Sequence, residues 1–350
     1  MFTDAEFPAA PYPGTRPPCS FVHDDGRGWP LTADPAALSG WRVEGTDLDA
    51  WLTARNAAPL ADRLPLLSYG SNPNPAKLTW LRDALGLCGP VAVLRARCEG
   101  LAAVWAAGFR VVDDQRPVVL AASPGADEEH AVLMVTREQL AVLDVCEGRG
   151  ERYHLARVSA GRVTLIDDGG VLDRVPAYVG ASTIRRPLLV DGAPVRCADV
   201  PQEVAVGLVG EPAPNDGLDL DVLVGAPDPA DYPGALFVYG TLQPRASAWH
   251  LLAPHVAGEP RRARLGGTLF DTGFGYPALR LGAGPGVSGW TVPLRDGAAL
   301  AALDEYEGEE YVRVRVVTAG GDVCWTYVWV APVTGMAALT DPWDAQSTIG

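Results

Sequence analysis

The sequence predicts an α+β fold made of two tandem, related domains, and three observations carry that reading. A strand-then-glycine loop occurs twice, as Leu66-Leu-Ser-Tyr-Gly-Ser-Asn-Pro73 and as Leu236-Phe-Val-Tyr-Gly-Thr-Leu242. A second phrase follows each loop in the same order and at a similar interval. It is Leu143-Asp-Val-Cys-Glu-Gly148 with Tyr153 and Val158, and Leu303-Asp-Glu-Tyr-Glu-Gly308 with Tyr311 and Val316. Between these phrases lie many short apolar runs and few helical periodicities, the pattern of a small mixed sheet with flanking helices. The length of 350 residues suits two domains of about 100–200 residues each.

The elements follow in chain order. Residues 1–30 are crowded with proline (Pro8, Pro11, Pro13, Pro17, Pro18), which removes donors and resists helix, so they read as an extended arm or wrapped loop. The aromatic residues Phe2, Phe7, Tyr12 and Phe21 imply that this arm packs on something. Asp34-Pro-Ala-Ala-Leu38 and Asp47-Leu-Asp-Ala-Trp51 read as short helix starts. The first repeat is then read as strand 64–69, helix 75–85 and strands 91–98 and 101–105. Strands 118–122 and 129–135 flank an acidic turn, helix 136–146 is capped by Thr136, and strands 153–158, 163–166 and 175–179 close the domain. The second repeat is read as strand 236–239, a short helix near 246–252, strands near 261–269 and 287–293, helix 297–305, and strands 311–317 and 323–330. Expected boundaries are 1–61 for the arm and short helices, 62–209 for the first domain, 210–231 for a Gly/Pro-rich linker, 232–335 for the second domain and 336–350 for a tail.

The two phrases resemble the gamma-glutamylcyclotransferase-like family, whose marks are a Tyr-Gly-(Thr/Ser)-(Leu/Asn) loop and a later Leu-Asp-x-aromatic-Glu-Gly…Tyr-x-Arg-x-x-Val segment. The second copy carries Tyr239-Gly-Thr-Leu242, Leu303-Asp-Glu-Tyr-Glu-Gly308, Tyr311, Arg313 and Val316. Gly267-Thr-Leu-Phe-Asp271, Gly275-Tyr-Pro-Ala278 and Val287-Ser-Gly-Trp290 resemble further parts of the pattern, and the gamma-glutamylamine cyclotransferase branch is the nearest in character. The first copy is looser: Cys146 stands where the family favours an aromatic residue, and Leu155 where it has Arg. The resemblance covers roughly residues 62–200 and 232–335. It implies two cyclotransferase-like domains, each a small mixed β-barrel with flanking helices.

The resemblance also implies the reaction. A γ-glutamyl amine or dipeptide closes on itself, releasing 5-oxoproline and an amine or amino acid, in a transferase or lyase step that needs no metal and no cofactor. Glu307 and Glu147 are the candidate acid/bases, because one carboxylate can take the ammonium proton and return it to the leaving nitrogen. The candidate substrate-binding residues are Tyr239, Gly240, Thr241, Leu242 and Tyr311 in the second copy, and Tyr69, Gly70, Ser71, Asn72 and Tyr153 in the first. For each there is a plainer reading. Glu307 sits among Glu305, Glu309 and Glu310 and equally reads as a solvated glutamate; that cluster of like charge would raise its pKa. Tyr239 either meets a ligand or fills the core; Tyr311 either faces the site or packs in an alternating strand; Arg313 either orients the acidic segment or is solvated. Cys146 and His154 read as structural rather than as a nucleophile and a proton shuttle.

Composition bounds the function. Formal net charge is −15, so the chain repels phosphate backbones and anionic lipid, which excludes nucleic acid and membrane surfaces as expected partners. No apolar run reaches the ~18 residues of a spanning helix, and the start of the chain lacks a signal pattern; a cytoplasmic protein is expected. The six cysteines and five histidines form no metal-ligand spacing. Lys77 is the only lysine, a bias that points to a GC-rich bacterial genome. The partner expected is a small γ-glutamyl substrate, with the two copies able to pack as an intramolecular pseudo-dimer. The alternative is a non-catalytic binding or scaffold protein with degenerate pockets.

Overall fold

The computed structural model describes residues 1–340 and 343. The chain is a mixed α/β structure of many strands and few helices, grouped in two compact units. Unit one comprises Met1–Leu31, Arg63–Asp167 and Leu172–Pro227; unit two comprises Thr32–Asp62, Asp168–Val171 and Asp228–Gly350. The N-terminal 61 residues are thus divided between the units, and most of the tail expected at 336–350 lies outside the described residues.

In unit one, β1 (Leu64–Ser68) is buried at every position, as its unbroken apolar run requires. Next come α1 (Pro75–Leu85), β2 (Val91–Trp105), β3 (Val118–Val135), α2 (Arg137–Glu147), β4 (Tyr153–Val158) and β5 (Val175–Gly180). The sheet runs β4-β5-β1-β3-β2, with β1 parallel to β5 (Leu67 opposite Ala177) and antiparallel to β3. The expected breaks at residues 99–100 and in the acidic stretch 123–128 are not chain reversals. β2 and β3 are each continuous and pair from Trp105–Val118 to Ala92–Met134, with a bulge between Glu99 and Leu101. Cross-strand charge explains the error. Arg95 holds Glu129 in a forked pair, Arg97 pairs with Asp127, and Glu128 accepts from the Ala103 amide and Arg196; the acidic residues belong to a ladder, not a turn. Part of the expected linker also joins the sheet, with Leu220–Val222 pairing along β4.

In unit two, β6 (Ala235–Val238) lies in the order β11-β12-β6-β10-β7, where β7 is Arg261–Leu265, β10 Val287–Pro293, β11 Tyr311–Val317 and β12 Val323–Trp329. β6 is parallel to β12 (Leu236 opposite Trp325) and antiparallel to β10. Strand order and sense therefore match those of unit one. A smaller sheet joins β8 (Gly267–Asp271) to β9 (Pro277–Leu281) and to Ala337–Leu339. Helix α3 (Ala298–Glu307) buries Ala299, Leu300 and Leu303 against the sheet, in a cluster with Leu236, Val292, Trp325 and Tyr327. The barrel implied by the resemblance is not closed among the described residues. Edge strands β7 and β11 each pair on one side only, and both carry arginines (Arg261, Arg262 and Arg264; Arg313 and Arg315) that discourage further pairing. The expected helix starting at Asp34 is a turn, whereas Asp47 caps Leu48–Thr53 as its sequence indicates.

Because Leu303 is 1 % exposed on the helix that presents Glu307, Leu303→Ala is expected to cost ~2–5 kcal/mol of stability by leaving a cavity. Urea unfolding of the full chain measures it, with Leu251→Ala on the exposed side of a neighbouring helix as the control expected within about 0.5 kcal/mol.

Candidate active site

In unit two a chain of hydrogen bonds fixes the site. The buried Tyr239 hydroxyl, at the end of β6, donates to the Tyr327 carbonyl at 2.8 Å, and the Tyr327 hydroxyl donates to Asp304 at 2.8 Å. Asp304 is also gripped by Arg313 through both fork nitrogens, at 2.9 and 3.1 Å. Asp304 and Glu307 are three residues apart on α3, so anchoring the first places the second. Gly308, at a positive φ of 71° that favours glycine, then turns the chain out of the helix.

These residues surround a cavity of about 290 Å³, lined by Tyr239, Gly240, Thr241, Leu242, Glu307 and Tyr311 together with Tyr276, Pro277, Tyr306 and Glu310. All six residues named from the sequence in this copy are therefore brought together. A Cβ at Gly240 would lie 3.1 Å from the Pro277 ring, a tight contact that would push on the cavity wall. Among the described residues the backbone amides of Thr241 and Leu242 make no hydrogen bond, which leaves donors beside Glu307 for an anionic or carbonyl oxygen. The Leu242 side chain itself is buried in the core, so it contributes backbone only. Tyr311 donates to the Pro277 carbonyl at 2.8 Å, which pins the Tyr-Pro turn over the cavity. Thr241 and Tyr306 hydroxyls lie 3.3 Å apart at the rim.

Glu307 is half-buried, and burial alone pushes its pKa up to about 7. The crowding of like charges expected from Glu305, Glu309 and Glu310 is not the cause. Burial likewise drives the phenols of Tyr239 and Tyr311 upward, so both remain neutral hydrogen-bonding groups.

Unit one repeats the scaffold. Tyr69 donates to the Tyr178 carbonyl (2.5 Å), Tyr178 donates to Asp144 (2.7 Å), and Asp144 is paired with Arg149 (2.9 Å). Leu155 in place of the family's Arg is thus compensated, because Arg149 reaches the same carboxylate from the turn. Glu147 ends α2 and accepts from Asn72 at 2.8 Å; its pKa is raised by burial, with Asn72 and Lys77 opposing. Tyr153 donates to the Val118 carbonyl at 3.2 Å. Gly70 has the Tyr12 hydroxyl 3.7 Å from its would-be Cβ, and Ser71 lies in the loop between Gly70 and Asn72, its carbonyl accepting from the Asn74 amide. Cys146 lies 3.5 Å from Lys77, with its thiol pKa raised by burial, which makes it an inert thiol rather than a nucleophile. The sequence reading missed Tyr276, Tyr306 and Glu310. Tyr276 stood within the quoted Gly-Tyr-Pro turn and Tyr306 at the aromatic position of the Leu-Asp-x-aromatic-Glu phrase, so both had a sequence signal, and Glu310 had none.

Among the described residues no group of three or more His, Cys, Asp or Glu side chains is placed to hold a metal ion, and no helix is long and apolar enough to cross a membrane.

Residues 236–345 match the family model described as gamma-glutamyl cyclotransferase, AIG2-like. None of the curated proteins matches the chain. Among solved structures, one titled gamma-glutamyl cyclotransferase is 16% identical, covers 34% of this chain and 68% of its own, and has a TM-score of 0.28. YkqA from Bacillus subtilis is 16% identical over 77% of this chain and 84% of its own (TM-score 0.24). Protein ytfP from Escherichia coli is 29% identical over 30% of this chain and 91% of its own (TM-score 0.23). The likeness to the gamma-glutamyl cyclotransferase, AIG2-like family thus rests on the family match over residues 236–345 and not on these low TM-scores.

Proposed function

We propose that the chain is a tandem of two cyclotransferase-like halves and that the second catalyses release of 5-oxoproline from a γ-glutamyl amine or dipeptide. The observation that carries this reading is Glu307, held with a pKa near 7 in a cavity beside the Thr241 and Leu242 amides. A general base is most effective when its pKa lies near the working pH.

The chemistry follows from that placement. Glu307 takes a proton from the substrate's α-ammonium. The freed amine attacks the δ-carbonyl, forming the ring C–N bond, and an oxyanion develops that loop amides stabilise. The tetrahedral centre collapses with cleavage of the bond to the original nitrogen, which leaves as an amine after Glu307 returns the proton. Ring closure is intramolecular, so the site's main task is to hold the folded conformer. Tyr239 and Tyr311 shape the cavity through their bonds to Tyr327 and Pro277, and Gly240 lets the backbone approach the ligand.

The test is 5-oxoproline release from a panel of γ-glutamyl amines and dipeptides. Glu307→Gln is expected to lower kcat/KM by ~10²–10⁴-fold, whereas Glu147→Gln is expected to leave it within twofold. Absence of product across the panel, or loss with Glu147→Gln alone, overturns the assignment.

Two pH effects have opposite signs and the same origin. Activity needs ionised Glu307, so wild-type kcat/KM should rise with pH through about 7. Stability behaves inversely. The folded-state pKa lies above the unfolded value of ~4.3, so the folded chain holds the extra proton, and Glu307's favourable contribution is full below ~4.3 and lost as pH rises through about 7. Glu307→Gln should therefore melt above wild type at pH 8, with the gap closing toward pH 5, as read by calorimetry.

A further inference from the structure

Unit one reproduces the site scaffold, but its N-terminal arm lies across it. Arg16 donates through Nη2 to the carbonyls of Tyr69 and Gly70, both at 2.8 Å, directly on the strand-end loop. The Tyr12 hydroxyl accepts from the Val118 amide at 3.1 Å, beside the carbonyl that holds Tyr153. Glu147 is among the charges that raise the pKa of Tyr12, and Tyr12 among the groups that raise that of Tyr153, so the arm's phenol lies among the site's own residues. Arg110 stacks on the Tyr12 ring at 4.5 Å. The arm is also anchored from below: Asn74 donates to the carbonyls of Phe7, Pro8 and Thr15 while capping α1.

A second observation points to a ligand. Asn72 is 8 % exposed, and its Nδ2 is committed to Glu147, yet its Oδ1 is buried with no hydrogen-bond partner. A buried acceptor left unpaired forfeits its hydration without replacement and calls for an explanation. An acceptor and a carboxylate side by side suit a ligand N–H or ammonium. The corresponding residue of the second copy, Leu242, offers no such acceptor.

We propose that unit one holds a second small-ligand site, for a γ-glutamyl or 5-oxoproline-like compound, and that Tyr12 and Arg16 of the N-terminal arm keep it closed. The ligand's N–H meets Asn72 Oδ1 and Glu147, in the space that the arm now fills. The inference rests on the reading of both halves as cyclotransferase-like, and the experiment separates the two.

The probe is 5-oxoproline, whose lactam N–H can donate to Asn72, titrated calorimetrically into the full-length chain. Binding to wild type reports on the second half and so on the proposed function. The increment in sites between wild type and Tyr12→Ala/Arg16→Ala reports on the arm. One added site per chain in the folded variant supports the proposal even if wild type binds nothing, and no added site overturns it. If the variant loses its cooperative melt, wild type decides by hydrogen exchange. Saturating 5-oxoproline is expected to speed amide exchange of residues 7–16 at least tenfold as ligand and arm compete, and unchanged exchange overturns the proposal.

Discussion

The placement of Glu307 depends on a parallel strand pair. Leu236 lies opposite Trp325 because β6 and β12 run the same way, and that register carries the Tyr239 hydroxyl to the Tyr327 carbonyl and the Tyr327 hydroxyl to Asp304. A shift of one residue would send Tyr327 to the opposite face and release the aspartate that anchors α3. The catalytic candidate is thus positioned by groups that do no chemistry themselves. Each is satisfied internally: a phenol to a carbonyl, a phenol to a carboxylate, and a guanidinium fork to the same carboxylate. Buried networks of this kind hold only when every member is paired, which accounts for the return of the same three-part arrangement around Asp144 in unit one.

What was legible in the sequence follows from this arrangement. Tyr239-Gly240 and Asp304…Glu307 are contiguous phrases, because a strand end and a helix end each need only local residues to be recognisable. Their pairing with Tyr69-Gly70 and Asp144…Glu147 was legible for the same reason. The continuous course of β3 was not, because Asp127, Glu128 and Glu129 look like turn residues until Arg97, Arg196 and Arg95 arrive from elsewhere in the chain. Leu155 looked like a missing arginine for a similar reason: its substitute, Arg149, precedes the tyrosine instead of following it, and only tertiary structure shows Arg149 and Arg313 each reaching an aspartate. Glu310 gained a role only when the cavity took shape around Glu307, whereas Tyr306 was marked in advance by its place in the Leu-Asp-x-aromatic-Glu phrase.

The two glutamates differ in how their pKa values are raised, and the difference is chemical. Burial is the cause at Glu307, with no hydrogen bond opposing it, so that carboxylate is free to exchange a proton with whatever occupies the cavity. At Glu147 burial also raises the pKa, but the Asn72 amide and Lys77 oppose it, so part of its surroundings already favours the ionised form. A carboxylate with a donor in place is better suited to binding a cationic group than to shuttling a proton, since each proton it gains must displace that donor's contribution.

The arm sharpens this contrast. Proline-rich chain has a restricted backbone in the unfolded state as well as the folded one, so it loses comparatively little freedom when it docks, and Arg16 takes two carbonyls at once where it lands. An occupant carried on the same chain competes at an effective concentration that a small ligand must overcome. Tyr12 and Arg16 therefore need not bind strongly residue by residue to keep Gly70 and Val118 covered. Nothing comparable crosses Gly240 among the described residues, where the nearest wall is the Pro277 ring of the cavity itself. Under the functions proposed, the same scaffold presents one open site for proton transfer and one covered site for binding, with the difference set by Asn72 in place of Leu242 and by Tyr12 and Arg16 of the arm.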